Sequence, residues 1–259
     1  MDIIAPGQDF AKKGVSLTLY GDSGVGKTST IKTLLGWSHD KVKVKDGVLV
    51  EDGWGTTEPY CKPEEILVLS ADAGEIVLER EGKTCCSIYR VPDTLEKWKD
   101  FVDYLCAGKH PFKVVVADNM SELEYYFVTS VAKKRGAETP SKEDWMRGSL
   151  YLKKYMRQLR DLTFLGIDVI FIFWTMDVPI EDKDGQLTTV IYPKCMRRSK
   201  EEYIGLVEHC AYMGISQKSG ERFFQFESGG LYKAKTRSEL IQKFEKANLA
   251  AILRKLRGR

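Results

Sequence analysis

Gly21-Asp22-Ser23-Gly24-Val25-Gly26-Lys27-Thr28 fits the pattern G-x-x-x-x-G-K-[ST], and it stands between two stretches of different periodicity. Before it, Val15-Ser16-Leu17-Thr18-Leu19-Tyr20 reads as a buried strand. After it, Thr28 to Leu35 reads as a helix stopped by Gly36. Three glycines let the backbone curl until its N–H groups converge on a phosphate, and the helix N-terminus adds positive partial charge. In such a loop Lys27 reaches the β- and γ-phosphates and the Thr28 hydroxyl sits on Mg²⁺, with Ser29 completing the set of residues around the phosphates. The pattern predicts an α/β nucleoside-triphosphate-binding protein that takes ATP and Mg²⁺.

The chain has 259 residues, enough for one large α/β domain, and its formal net charge is +3. That balance argues against a polybasic nucleic-acid coat and leaves room for local basic patches. No apolar run reaches membrane-spanning length, and Met1-Asp2-Ile3-Ile4-Ala5-Pro6 lacks the basic and apolar regions of a signal peptide, so a cytoplasmic protein is expected. The six cysteines (Cys61, Cys85, Cys86, Cys106, Cys195, Cys210) form no C-x-x-C pair and read as scattered small hydrophobes, with Cys106 on the apolar side of a helix. A zinc site from Cys61 and Cys85-Cys86 is the weaker alternative.

Further along, Val42 to Val50 turns at Asp46-Gly47 and reads as a hairpin, part of an insertion at about residues 40–62. Ile66 to Ser70 is a buried strand, and Ser87 to Arg90 a shorter one near an edge. A helix from Asp93 or Thr94 lines up Leu95, Trp98, Val102 and Leu105 and stops at Gly108. Val114 to Asp118 is a buried strand ending in an acid; Ser121-x-x-Glu124 reads as a capping box for the helix towards Arg135. A polar segment, Lys133 to Arg147, leads to a helix ending at Gly166, and Val169 to Trp174 is the last strong parallel-type strand. Hairpins follow around Asp184-Gly185 and Ser219-Gly220, with Phe223 to Phe226 as a returning strand. A helix from Ser238, over about 238–257, carries Ile241, Phe244, Ile252 and Leu256 on one side. No repeat or linker divides the chain, so a single domain with a core of about 14–237 is expected.

Asp118 is the strand-end carboxylate expected beside Thr28 at the Mg²⁺. Motor ATPases usually carry a catalytic glutamate directly after this aspartate, whereas here Asn119 follows. The acceptor for a water nucleophile must come from elsewhere, and Asp72 and Glu75 in Ser70-Ala71-Asp72-Ala73-Gly74-Glu75 are the candidates.

An acid supplied by a separate strand resembles the RecA-like recombinase branch, in which Asp72 takes the place of that family's glutamate and Glu75 is the fallback. The polar and basic excursion after Trp174, with Lys194, Arg197, Arg198 and Lys200, occupies the position of a DNA-binding loop, and Tyr192 and Tyr203 are candidates to stack on bases. Lys233-Ala234-Lys235-Thr236-Arg237 resembles the A-K-x-R stretch of phage-encoded RecA-like ATPases of the single-strand annealing type. The resemblance runs from Val15 to Arg237. It implies a RecA-like sheet with C-terminal hairpins, a slow or DNA-stimulated ATPase acting on single-stranded DNA in phage recombination or replication, and a ring or filament in which Lys235 and Arg237 reach a neighbour's γ-phosphate. A single-strand-binding protein or another recombination factor is the implied protein partner, and the host cytoplasm the implied location.

Rival classes remain open. Small GTPases share this loop spelling, but Ala71-Asp72-Ala73-Gly74 misplaces the acid of their D-x-x-G element and no N-K-x-D follows a strand. A small-molecule kinase could use Arg197 and Arg198 in a lid, and a nucleotide-gated DNA-binding module would need no efficient hydrolysis.

Overall fold

The computed structural model describes residues 13–37, 42–45, 48–51, 58–80, 82–91, 95–181, 185–196 and 200–258. Strand β1 (Ser16–Tyr20) runs into the glycine-rich loop and a 3-10 helix over Thr28–Leu35, which stops at Gly36 in the left-handed conformation. β2 (Val42–Lys45) and β3 (Val48–Glu51) pair antiparallel, as the hairpin reading expects; their turn residues lie outside the described set. Next come β4 (Ile66–Ser70), a 3-10 turn over Gly74–Leu78, a two-residue ladder of β5 (Glu79–Arg80) and β6 (Lys83–Thr84), and β7 (Ser87–Arg90). Helix α1 (Leu95–Cys106) precedes β8 (Val114–Asp118), α2 (Met120–Lys134), α3 (Lys142–Asp161) and β9 (Asp168–Phe173). The hairpin β10 (Thr175–Glu181) and β11 (Leu187–Pro193) leads to α4 (Lys200–Leu206), β12 (His209–Ile215), β13 (Arg222–Gln225), β14 (Phe244–Lys246) and α5 (Leu249–Leu256).

Eight strands form one sheet in the order β14-β13-β12-β1-β9-β8-β4-β7. The six from β12 to β7 are parallel, and β13 and β14 return antiparallel at one edge. Helices cover both faces, which is why the central strands are unbroken apolar runs instead of alternating ones. On one face α1, α2 and α3 pack around fully buried Trp98, whose indole meets Phe127 and Tyr155 edge-on at 5.7 Å each. On the other, the 3-10 helix and α5 pack Ile31, Leu34, Leu249 and Leu253 against β1 and β4.

Four readings change. β9 is not the last parallel strand: β12 pairs parallel with β1, Leu17 opposite His209, a strand hidden by its small and polar members. The final helix does not begin at Ser238. Phe244 is in β14, and α5 begins after Asn248, whose side chain accepts a hydrogen bond from the Ala251 N–H and caps it. Ser121 does not cap α2; Asn119 does, accepting from the Glu122 N–H at 2.8 Å. Glu124 is instead buried, receiving the Ser149 hydroxyl at 2.7 Å and the Met196 N–H at 2.8 Å. Cys106 is exposed, not on the apolar side of α1. The expected start of α1 at Asp93 or Thr94 lies outside the described residues.

Asp168, at the first position of β9, fastens three distant segments. Its carboxylate accepts the Val15 N–H (2.8 Å), the Tyr60 hydroxyl (2.7 Å) and the Arg257 Nε and Nη2 (2.9 and 2.7 Å), and both charges are buried. Burial pushes the carboxyl pKa up against the pull of Arg257. Removing one member of such a pair strands the other in a dry site. Arg257→Ala should therefore cost about 3–5 kcal/mol in urea unfolding, whereas Lys99→Ala, which breaks an exposed pair with Asp103, should leave the unfolding midpoint essentially where it is.

Candidate functional site

The loop after β1 is shaped by what its backbone must avoid. A Cβ on Gly21 would stand 2.6 Å from the Met213 carbonyl oxygen, and Gly26 has φ +99°, a conformation L side chains rarely adopt. Lys27 lies inside the curl, 7% exposed, and its ammonium donates to the carbonyls of Gly21 (2.7 Å) and Asp22 (2.8 Å). Burial lowers its pKa, opposed by the nearby carboxylates of Asp118, Asp22 and Asp72. A phosphate entering the loop would offer this cation an anionic acceptor in place of neutral carbonyls.

Beyond the loop the parallel register sets Asp118, Ser70 and Arg90 level with one another at the ends of β8, β4 and β7. The Thr28 hydroxyl donates to Asp118 Oδ2 at 2.5 Å. Burial first, with Asp72 and Glu75 adding repulsion, raises the Asp118 pKa to about 6 despite that hydrogen bond. A hydroxyl and a carboxylate meeting at the mouth of a phosphate loop suit a hard cation that takes few protein ligands and keeps the rest for phosphate and water. That donor set fits Mg²⁺, with Thr28 and Asp118 as the residues that would hold it. Among the described residues no cluster of three or more His, Cys, Asp or Glu side chains is arranged for a metal.

The two candidate acids stand beside this pair in different states. Asp72 is exposed; one oxygen accepts the Asn119 Nδ2 at 2.6 Å and the other the Gly74 N–H at 3.0 Å. Asn119 thus fills the position after Asp118 by holding an acid instead of being one. Glu75 is buried, takes a short hydrogen bond from the Ser70 hydroxyl and pairs with Arg90 Nε at 2.8 Å. Burial would raise its pKa, but the hydrogen bonds from Ser70, its own backbone and Arg90 outweigh this and keep it below the ordinary glutamate value. Each acid is already engaged by protein donors.

The other sequence candidates divide. Lys194 lies near the strand ends: its carbonyl accepts the Ser121 hydroxyl at 2.8 Å and its ammonium stands 5.0 Å from the Trp174 ring. Lys200 lies over the Tyr192 ring at 5.2 Å, and Arg197 and Arg198 fall outside the described residues. Tyr192 and Tyr203 cannot stack on a base, being 3% and 0% exposed; the Tyr192 hydroxyl donates to Glu201 and the Tyr203 hydroxyl to Glu124. Their apolar bodies were needed by the core. Lys235 and Arg237 are not brought to the loop. The Lys235 backbone exchanges hydrogen bonds with Cys210, which is level with Thr18 inside β1, and Arg237 is exposed near the start of β12. Between them, Thr236 meets His209 at 2.9 Å; burial, with the two cations adding repulsion, lowers that imidazole's pKa to about 4 and keeps it neutral.

Sequence reasoning passed over Ser70, Arg90, Thr175 and Arg222. The first two are terminal residues of neighbouring strands and were findable from the register. Thr175 donates its hydroxyl to Asp22 at 2.6 Å and Arg222 donates Nε to the Val25 carbonyl at 2.9 Å, contacts across 153 and 197 positions that no local pattern signals.

Two measurements follow from this geometry. Lys27→Ala should weaken ATP binding by about ten- to hundredfold in a calorimetric titration, the loss expected for a charge-assisted hydrogen bond. Because the Asp118 pKa is raised to about 6, protons compete with the cation below that value. Apparent Mg²⁺ affinity should be level above pH 7 and fall about tenfold per pH unit below pH 6, and Asp118→Asn should remove this dependence.

A search of curated proteins finds no match for the chain. A family model described as an AAA domain matches residues 13–238, from just before β1 through the segment that carries Lys235 and Arg237. No helix among the described residues is long and apolar enough to cross a membrane. The match spans the loop, the acid-bearing strands and the returning strand β13 together: the chain belongs to this AAA-domain family and is a nucleotide-binding ATPase of the α/β P-loop fold.

Proposed function

We propose that the protein is a RecA-like, Mg²⁺-dependent ATPase that acts on single-stranded DNA in phage recombination or replication. The observation that carries this reading is a hydrogen-bonded path from the phosphate loop to the basic segment. Asp22, inside the loop, takes the Thr175 hydroxyl at the start of β10. Ser121, three residues after Asp118, accepts the Trp174 N–H at 3.1 Å and donates to the Lys194 carbonyl, and Glu124 holds the Met196 N–H. A phosphate that displaces the loop's own contacts would therefore shift the residues that frame Lys194 to Lys200. Such a path lets nucleotide state set the affinity of a loop for an anionic polymer, and DNA in turn set turnover.

Asp72 and Glu75 are the proposed water-activating acids, and Asp72 is favoured because it is exposed beside Asp118. Asp72→Asn should reduce phosphate release by at least about a hundredfold with ATP affinity kept, while Glu75→Gln should leave more activity. The reverse order would move the role to Glu75. Phosphate release should rise when single-stranded DNA is added; equal rates with and without DNA would remove DNA from the cycle. Neutralising Lys194, Arg197, Arg198 and Lys200 together should lower the slope of log affinity against log salt by about 0.7 per lost phosphate contact.

Lys235 and Arg237 are proposed to complete a neighbouring subunit's site, because the first half of β12 keeps them away from their own loop. Turnover per chain should then rise with protein concentration, and mixed Lys27→Ala and Arg237→Ala chains should regain activity that neither has alone. A second reading, a nucleotide-gated DNA-binding module with little hydrolysis, is favoured by one observation. Each candidate acid is already hydrogen-bonded to protein, Asp72 to Asn119 and Glu75 to Ser70 and Arg90. DNA affinity that depends on ATP without measurable phosphate release would select it.

A further inference from the structure

The sheet gives a bound nucleotide a direction. Asp118 on β8 and the acids after β4 lie on one side of β1, past β9. A triphosphate whose terminal phosphates face those groups must leave the loop with its nucleoside on the other side, towards β12, β13 and β14. On that side, about 10 Å from β1 at ordinary strand spacing, a cavity of about 620 Å³ opens at the sheet's edge. It is lined by the β12–β13 turn, with Ser216, Ser219 and the carboxylate of Glu221, by Arg222 and Phe223 of β13, and by all three residues of β14, Phe244 to Lys246.

Three features make this more than a surface dent. Arg222 joins it to the loop, because its Nε–H donates to the Val25 carbonyl while the side chain lines the cavity wall. Phe244 is 53% exposed although it sits in a strand; its ring is braced edge-on by Phe223 at 5.7 Å and 79°, and Lys243 Nζ stands 5.7 Å from its centroid. Both acids of the lining have cations beside them: the Glu245 carboxylate is taken up by Lys255 at 2.7 and 2.8 Å and by the Gln242 N–H, and Glu221 stands 4.0 Å from Lys246 Nζ. An exposed aromatic face beside a phosphate loop, at the end of the sheet away from the metal-binding acids, has the chemistry of a base-stacking wall.

We propose that this cavity holds the nucleoside of the bound triphosphate, with the base stacked on Phe244 and Arg222 linking the occupied cavity to the phosphate loop. The assignment rests on the phosphate-loop reading. Stacking uses a face that every base has, so this wall supplies affinity with little choice between adenine and guanine; the serine hydroxyls and turn backbone are left to discriminate.

The test separates base from phosphate. ATP, GTP and inorganic tripolyphosphate are titrated with Mg²⁺ into the parent chain, Phe244→Ala, Phe244→Tyr and Lys27→Ala. Phe244→Ala should bind ATP and GTP each about ten- to hundredfold more weakly and tripolyphosphate as the parent does, while Phe244→Tyr restores nucleotide affinity. Lys27→Ala should weaken all three ligands, tripolyphosphate included. Unchanged ATP affinity in Phe244→Ala would overturn the proposal, as would equal losses for ATP and tripolyphosphate, which would mean that Phe244 only supports the loop. If Lys27→Ala bound all three as tightly as the parent, the loop reading beneath the proposal would fail with it.

Discussion

Hydrogen-bond register between parallel strands is the constraint on which the site depends. Arg90, Ser70 and Asp118 come from segments far apart in the chain, yet they face one another because β7, β4 and β8 end level. A slip of one residue in β8 would turn Asp118 to the opposite face and put Asn119 or Ala117 at the mouth of the loop. Continuous apolar runs do not by themselves forbid such a slip. The hydrogen-bonded groups at the strand ends do, since Thr28 reaches only an acid at the position Asp118 occupies.

The same geometry concentrates like charge. Asp72 and Glu75 raise the cost of ionising Asp118, and among the described residues Lys27 within the loop and Arg90 at the sheet's edge stand as cations beside these acids. Asp118 carries most of the strain because it is the deepest. A divalent cation held by Thr28 and Asp118 would relieve that repulsion. Asn119 belongs to this logic. A fourth carboxylate in its place would add repulsion, whereas the amide donates to Asp72 and caps α2 with the same side chain.

The central strands and the phosphate loop were readable because they obey local rules: unbroken apolar runs for strands buried on both faces, and glycines where the backbone must curl. Legibility failed where tertiary contact overruled local pattern. Ile241, Phe244, Ile252 and Leu256 keep helical spacing, but β13 had an open edge, and pairing with it drew Phe244–Lys246 into a strand. Ser121 and Glu124 match a capping box, yet Asn119 was nearer the helix start and Glu124 was needed to hold the backbone at Met196. Tyr192 and Tyr203 looked available for stacking only because sequence does not report depth. Within the site, the loop, Asp118 and the Asp72–Glu75 segment were legible; the partners that tie them to the rest of the molecule were not.

The fastening at Asp168 also has a consequence in time. Its guanidinium partner is 89 residues further along the chain, and synthesis adds roughly 5–20 residues per second. For about 4–18 s after Asp168 is made, β9 carries a carboxylate at its first position with no counter-ion to accompany it inside. Bringing that end of β9 against β1 early would bury a lone charge. Closing the sheet at its centre, with β4 and β8 already made, is disfavoured by that charge until Arg257 is available to pair with it.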